Sequence, residues 1–167
     1  MGLAALLTLS HAAAPKAEKR ELLAKHQTVA QFDGVEYHRC LGMTTLCPDK
    51  CGSSGDMASF RIHKYLAYEK PGQYGDEKQK QYSFLVEDNM KNLKVPEAIR
   101  DTVKSLKKGD LVLLDWQHDY VTKDGSSSPE RPIKKLEKIT REEAVKLTGG
   151  LEELPALPKK NPGIQLR

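Results

Sequence analysis

Residues 96–121, PEAIRDTVKSLKKGDLVLLDWQHDYV, decide the fold class. The first half has the marks of a short helix. Pro96 suits a first helical position, Ile99, Val103 and Leu106 recur at intervals of four and three, and Gly109 can close the end in a left-handed conformation. The second half changes period. From Leu111 to Val121, Val112, Leu114, Trp116, His118 and Tyr120 fall on one face, and Asp115, Gln117 and Asp119 on the other, which is the alternation of a half-buried strand. A helix with one apolar stripe that runs directly into such a strand needs a sheet to cover.

Upstream of this stretch, residues 31–43 form a first strand of β-formers, with Phe32, Val35, Tyr37 and Leu41 around an Asp33-Gly34 turn signal. Residues 44–56 are a loop marked by Pro48, Gly52 and Gly55. Residues 57–68 form a second strand, broken over 69–80 by Pro71, Gly72 and Gly75, and 81–87 return as a third through Tyr82, Phe84 and Val86. Beyond residue 121, Lys123-Asp124-Gly125 turns the chain, 126–132 form a loop and 133–139 a last strand. Thr140 and Glu143 then make a capping box that opens a short helix, with Gly149 at its end. Residues 15–27, rich in lysine, are expected as a linker or short helix. Residues 151–167, with Pro155, Pro158 and Pro162, are expected as an extended or disordered tail.

Three strands, a helix and two more strands, over residues 28–139, resemble the OB-fold, a five-stranded Greek-key β-barrel whose helix lies between strands three and four. The resemblance implies a mainly β single domain over 28–150. An SH3-like barrel is the alternative, because residues 106–116 also look like a turn entering a barrel strand. A length of 167 residues fits one domain, and 38% hydrophobic with 30% charged residues is ordinary for a folded protein. The net charge of +4 comes from lysines interspersed with acids, so no phosphate-binding stripe is evident and nucleic acid is not demanded.

Residues 2–9 are a short uncharged apolar run followed by Ser10-His11-Ala12-Ala13-Ala14, similar to the end of a secretory signal. The expectation is export, to a periplasm or beyond the cell, with 1–14 as the signal segment; a cytoplasmic alanine-rich tail is the alternative. Eight residues are too short for a transmembrane anchor, which needs about 20.

Three cysteines fall within twelve positions: Cys40, Cys47 and Cys51, with His38 two residues before the first. On a strand, His38 and Cys40 share a face, and a loop could fold Cys47 and Cys51 onto them. Three thiolates and an imidazole make a tetrahedral zinc set, and soft thiolates equally suit copper as Cu(I). A disulfide between two of the three is the other reading, favoured in an oxidising compartment. Cys47-Pro48-Asp49-Lys50-Cys51 resembles the copper-binding loop of the Sco family of copper chaperones. That family's thioredoxin-like fold needs a helix after the loop, whereas Gly52-Ser53-Ser54-Gly55 would break one, so its activity is not implied. A thiol redox site would more naturally use Cys-x-x-Cys at a helix start.

Trp116, His118 and Tyr120, sharing one strand face, are candidate ligand contacts, since aromatic side chains beside a histidine can stack on a base or sugar. Glu130 and Arg131, in the loop before the last strand, are candidates because an OB-like barrel brings that loop to the cysteine-loop end. No Walker loop, nucleophile elbow, His-Glu-x-x-His helix or dinucleotide fingerprint occurs. The sequence therefore points to an exported, non-enzymatic binding or accessory module for a protein or small ligand. A zinc- or copper-binding or thiol redox protein is the alternative, and a single-stranded nucleic-acid binder is the third.

Overall fold

The computed structural model describes residues 18–42 and 44–150. Its elements, in chain order, are β1 (Lys19–His38), β2 (Gly55–Glu69), β3 (Gln81–Asp88), α1 (Glu97–Ser105), β4 (Leu111–Lys123), β5 (Ser126–Glu130), β6 (Ile133–Ile139) and α2 (Arg141–Thr148). The signal-like segment 1–14 and the proline-bearing segment 151–167 lie outside the described residues.

All six strands belong to one antiparallel sheet in the order β3-β2-β1-β4-β5, with β6 paired to the first half of β4. The fold class is mainly β as expected, but the sheet is not closed into a barrel, so neither an OB nor an SH3-like barrel is shown. The two edge strands instead flank an open groove of about 710 Å³, lined on one side by Ser83, Phe84 and Leu85 and on the other by residues 128–132. Part of the reason is chemical. Pro129 stands in β5 and Pro132 just after it, and prolines remove the N–H donors that a closing ladder would need.

Two further expectations change. Residues 15–27 are not a linker or helix from Lys19 onward; they are the first half of β1, a strand of 20 residues. Lysines favour a helix here only locally. Ala24, His26 and Thr28 point to the interior, and residues 25–31 bond to β2 on one side and β4 on the other, so tertiary pairing overrides local propensity. The loop expected over 126–132 contains β5. Asp124 and Gly125, both at positive φ, make the two-residue turn that sets Lys123 opposite Ser126.

The stretch 96–121 folds largely as expected. α1 starts one residue later, with Pro96 at its N-cap, and ends at Ser105. Gly109, at φ 98°, serves the following turn and donates its N–H to the Phe32 carbonyl. Val103 and Leu106 pack with Phe32, Phe60, Phe84, Val112, Leu114, Trp116 and Leu136 in the main core. Each such side chain contributes about 1.5–3 kcal/mol on burial. The Thr140–Glu143 capping box is present, and Gly149 closes α2 in the left-handed conformation. Together, β1, β2 and the turn after β3 hold the cysteine loop at one end of the sheet.

Candidate metal centre

Cys40 lies two residues past the end of β1, and Cys47 and Cys51 lie on the loop before β2. The three sulfur atoms are all within 4.8 Å of one another, with Cys40 Sγ and Cys47 Sγ 3.2 Å apart. Cys40 is buried and the other two are half-buried, so the cluster is reached from the Cys47 and Cys51 side.

This loop has few apolar side chains to bury, and hydrogen bonds hold it instead. The Lys50 N–H donates to the Leu46 carbonyl at 2.8 Å and the Cys47 N–H to the Thr44 carbonyl at 3.1 Å, winding residues 44–50 into a helical turn. Ser54, fully buried, joins the two halves: its hydroxyl accepts the Cys40 N–H at 3.0 Å and donates to the Pro48 carbonyl at 2.8 Å. Asn89 donates its side-chain amide to the Pro48 carbonyl at 3.1 Å, and its own N–H to the Ser54 carbonyl at 2.9 Å. Gly55 is required where the loop enters β2. Its φ is +151°, and a Cβ there would sit 2.1 Å from the Glu87 carbonyl oxygen.

Behind the loop stands Asp88, whose carboxylate is fully buried. Burial alone would raise its pKa, but Lys94 Nζ at 2.9 Å, the Asn92 side chain at 3.0 Å and the backbone N–H groups of Asn92 and Met90 hold it well below the usual carboxylate range. In the cluster itself, the Thr44 hydroxyl, followed by the Cys40 thiol, hydrogen-bonds Cys47 and brings its pKa down to about 6. These bonds favour the thiolate of Cys47, the form that binds metals.

The three cysteines come together. None is in a disulfide, and the Cys40 and Cys47 sulfurs, 3.2 Å apart, are well beyond the roughly 2.05 Å of a bond, so the expected staple is not formed. His38 does not join the cluster. It is the last residue of β1, exposed and paired with Gly55. Two-residue spacing places side chains on one face only while the strand continues, and this strand ends between His38 and Cys40.

Trp116 is fully buried and stacked on His26 at 4.3 Å, so it belongs to the core and not to a ligand surface. His118 is buried and Tyr120 is 43% exposed, so the shared face runs from core to rim. Glu130 pairs with Arg20 at 2.9 Å, and Arg131 makes two bonds of 2.7 and 2.8 Å to Asp76. Both also line the groove between β3 and β5, which reaches Gly52 and Ser53 of the cysteine loop. The supporting residues Ser54, Asp88 and Asn89 escape sequence reasoning. Asp88-Asn89 with Asn92 carries a turn signal, but nothing local shows that this turn braces a loop 40 positions earlier.

Neither a family model, nor a curated protein, nor a solved structure matches the chain.

Proposed function

We propose that this chain is a metal-binding protein whose centre is Cys40, Cys47 and Cys51, taking a soft ion, zinc or copper. The convergence of three sulfurs within 4.8 Å carries the reading. Zinc–thiolate bonds of about 2.3 Å set the sulfurs of a tetrahedral site roughly 3.8 Å apart, so closing on an ion needs shifts of an ångström or less in a half-buried loop. Thiolates are the donors that soft ions select. Among the described residues, no fourth histidine, cysteine or carboxylate stands with the three, so a four-coordinate zinc would take its fourth ligand from solvent or a partner, whereas three thiolates suffice for Cu(I).

The test is elemental analysis of the full chain purified under reducing conditions without affinity metals. About one equivalent of zinc or copper is expected, reduced to background in Cys47→Ser and Cys51→Ser. Absence of stoichiometric metal, even after incubation with zinc or with Cu(I), would remove the reading.

A second reading keeps the protein as an exported accessory module with its partner surface at the cysteine-loop end. The groove that joins Gly52 and Ser53 to residues 128–132 favours it, since it brings the two loops singled out in the sequence to one place. Alanine substitutions across 47–56 and 126–131 are expected to abolish a cellular interaction of the exported protein. Unchanged interactions in every variant would eliminate this reading. The single-stranded nucleic-acid alternative has less support, because Trp116, its main stacking platform, is buried.

A further inference from the structure

The groove between β3 and β5 presents unpaired backbone, and its two walls differ. On the β3 side, the register with β2 fixes the direction of each backbone group. The Ile62 N–H donates to the Lys80 carbonyl at 2.8 Å, so these two are a hydrogen-bonded pair, and the ladder continues at every second residue through Phe60 with Tyr82 and Ala58 with Phe84. Ser83, opposite Ser59, and Leu85, opposite Met57, are the intervening residues, so their N–H and C=O groups point away from β2. The side chains agree. The Ser59 and Ser83 hydroxyls meet at 2.8 Å, the closer approach of a non-hydrogen-bonded pair. Both Ser83 and Leu85 line the groove, and among the described residues no backbone group pairs with the N–H or C=O of either. Beyond them this edge is closed, since the Lys94 N–H donates to the Val86 carbonyl at 2.9 Å and the Asp88 N–H to the Asn92 carbonyl at 3.0 Å.

The opposite wall is blunted. Lys123 faces Ser126 across the two-residue turn, and counting from that hydrogen-bonded pair sets Pro129, opposite Tyr120, at a position whose backbone groups face outward. Proline has no N–H to offer there, which is a common protection of a sheet edge. β3 has no such guard, because Ser83, Phe84 and Leu85 include neither a proline nor a charge. The charges that line the groove are already paired: Lys94 with Asp88 at 2.9 Å, Glu130 with Arg20 at 2.9 Å, and Arg131 with Asp76 at 2.7 and 2.8 Å. Among them stand the apolar Phe84, Leu93 and Val95.

An open row of alternating donors and acceptors is met by another extended backbone, which is the basis of strand addition to a sheet edge. A charged side chain entering beside paired charges and apolar residues would lose water and find no partner. The far wall limits what fits. The edge of a second copy would bring its own next strand against residues 128–132, whereas a single strand has nothing behind it. We propose that the groove takes an extended, uncharged segment of a partner protein, with apolar residues at every second position, which adds to the free edge of β3. Its backbone exchanges N–H and C=O bonds with Ser83 and Leu85, and its apolar residues lie against those of the groove. This rests on the reading of the groove as a partner surface and names the chemistry of that partner.

Panning a phage-displayed library of random octapeptides on the full chain, under reducing conditions, supplies the probe. Enriched sequences are expected to be uncharged, with apolar residues at alternate positions. A synthetic peptide of an enriched sequence is expected to bind Ser83→Pro about tenfold more weakly than the wild type, because this change removes an outward N–H and none that β2 uses. Far-UV circular dichroism establishes that the variant is folded. On the wild-type protein, methylating the peptide's amide nitrogens is expected to abolish binding at one set of alternate positions and spare the other, and hydrogen exchange at the Ser83 and Leu85 amides is expected to slow. No enrichment, or binding that leaves the proline variant, the methylated peptides and the two amides all unaffected, would overturn strand addition while leaving the groove as a partner surface. Peptide binding undiminished by alanine substitutions across 128–131 would place the peptide elsewhere and remove the partner-surface reading with it. A concentration-dependent dimer that is lost in Ser83→Pro would overturn the proposal in favour of a second copy.

Discussion

Replacing Asp88 by alanine is expected to lower the melting temperature by about 10 °C and to weaken metal binding at a centre it does not touch. Its carboxylate is fully buried and receives four donors, from Lys94, Asn92, Met90 and the Asn92 side chain. Removing it strands those donors and leaves the Lys94 ammonium without its counter-ion, and breaking one side of such a pair costs far more than the pair contributes. The turn that Asp88 organises also holds Asn89, which bonds Pro48 and Ser54, and through Ser54 the Cys40 backbone. Thermal melting, with zinc affinity measured by chelator competition, checks both parts. A variant that melts earlier but binds zinc as tightly as the wild type would disconnect the turn from the cluster. Asp88→Asn, which keeps the shape and some of the hydrogen bonds, is expected to fall between.

Acidification should cost stability well before the carboxylates titrate. His26 is fully buried, packed face to face on Trp116 at 4.3 Å, with Tyr65, Tyr68 and Tyr82 around it and no hydrogen-bond partner on either nitrogen among the described residues. Burial pulls its pKa from 6.5 to about 4; Asp76 opposes that shift, and His118 and Arg131 add to it. Between those two values the unfolded chain binds the proton and the native chain does not. Stability is therefore complete above pH 6.5 and falls as the pH drops toward 4, by about 3 kcal/mol for a shift of this size. Burial also lowers the pKa of His118, which adds a loss of the same sign. Denaturant melts at pH 7 and pH 4.5 measure the slope, and His26→Phe is expected to reduce it by close to one proton while leaving stability at pH 7 equal or higher. Replacing an unpaired buried polar ring by an apolar one of similar shape removes a desolvation cost. An unchanged slope in that variant would mean that another group carries the pH dependence.

These expectations draw unequally on what local sequence reveals. The helix and strand within residues 96–121 are legible because their apolar periods differ, four and three against two, and each period matches a face that the core uses. The capping box at Thr140 and Glu143 is legible for a similar reason, since both partners lie within one turn. The cysteine cluster is legible as a concentration of thiols, because closure of a short loop brings near neighbours together without help from the rest of the chain.

Local sequence thus carries the mainly β class, most strand positions, the two helices and the candidacy of Cys40, Cys47 and Cys51. Tertiary structure alone decided the rest. It drew Lys19 to Gln27 into β1, because pairing with β4 along this stretch, joined by β2 from Lys25 onward, outweighs the helix preference of lysine-rich chain. It left the sheet open between β3 and β5, because closure depends on curvature and on which edge retains N–H donors. It dropped His38 from the cluster, because the strand ends before Cys40, and it placed Asp88, Asn89 and Ser54 behind the thiols. Those contacts join residues up to 41 positions apart, Pro48 and Asn89, and no local period or spacing records a pairing over that distance.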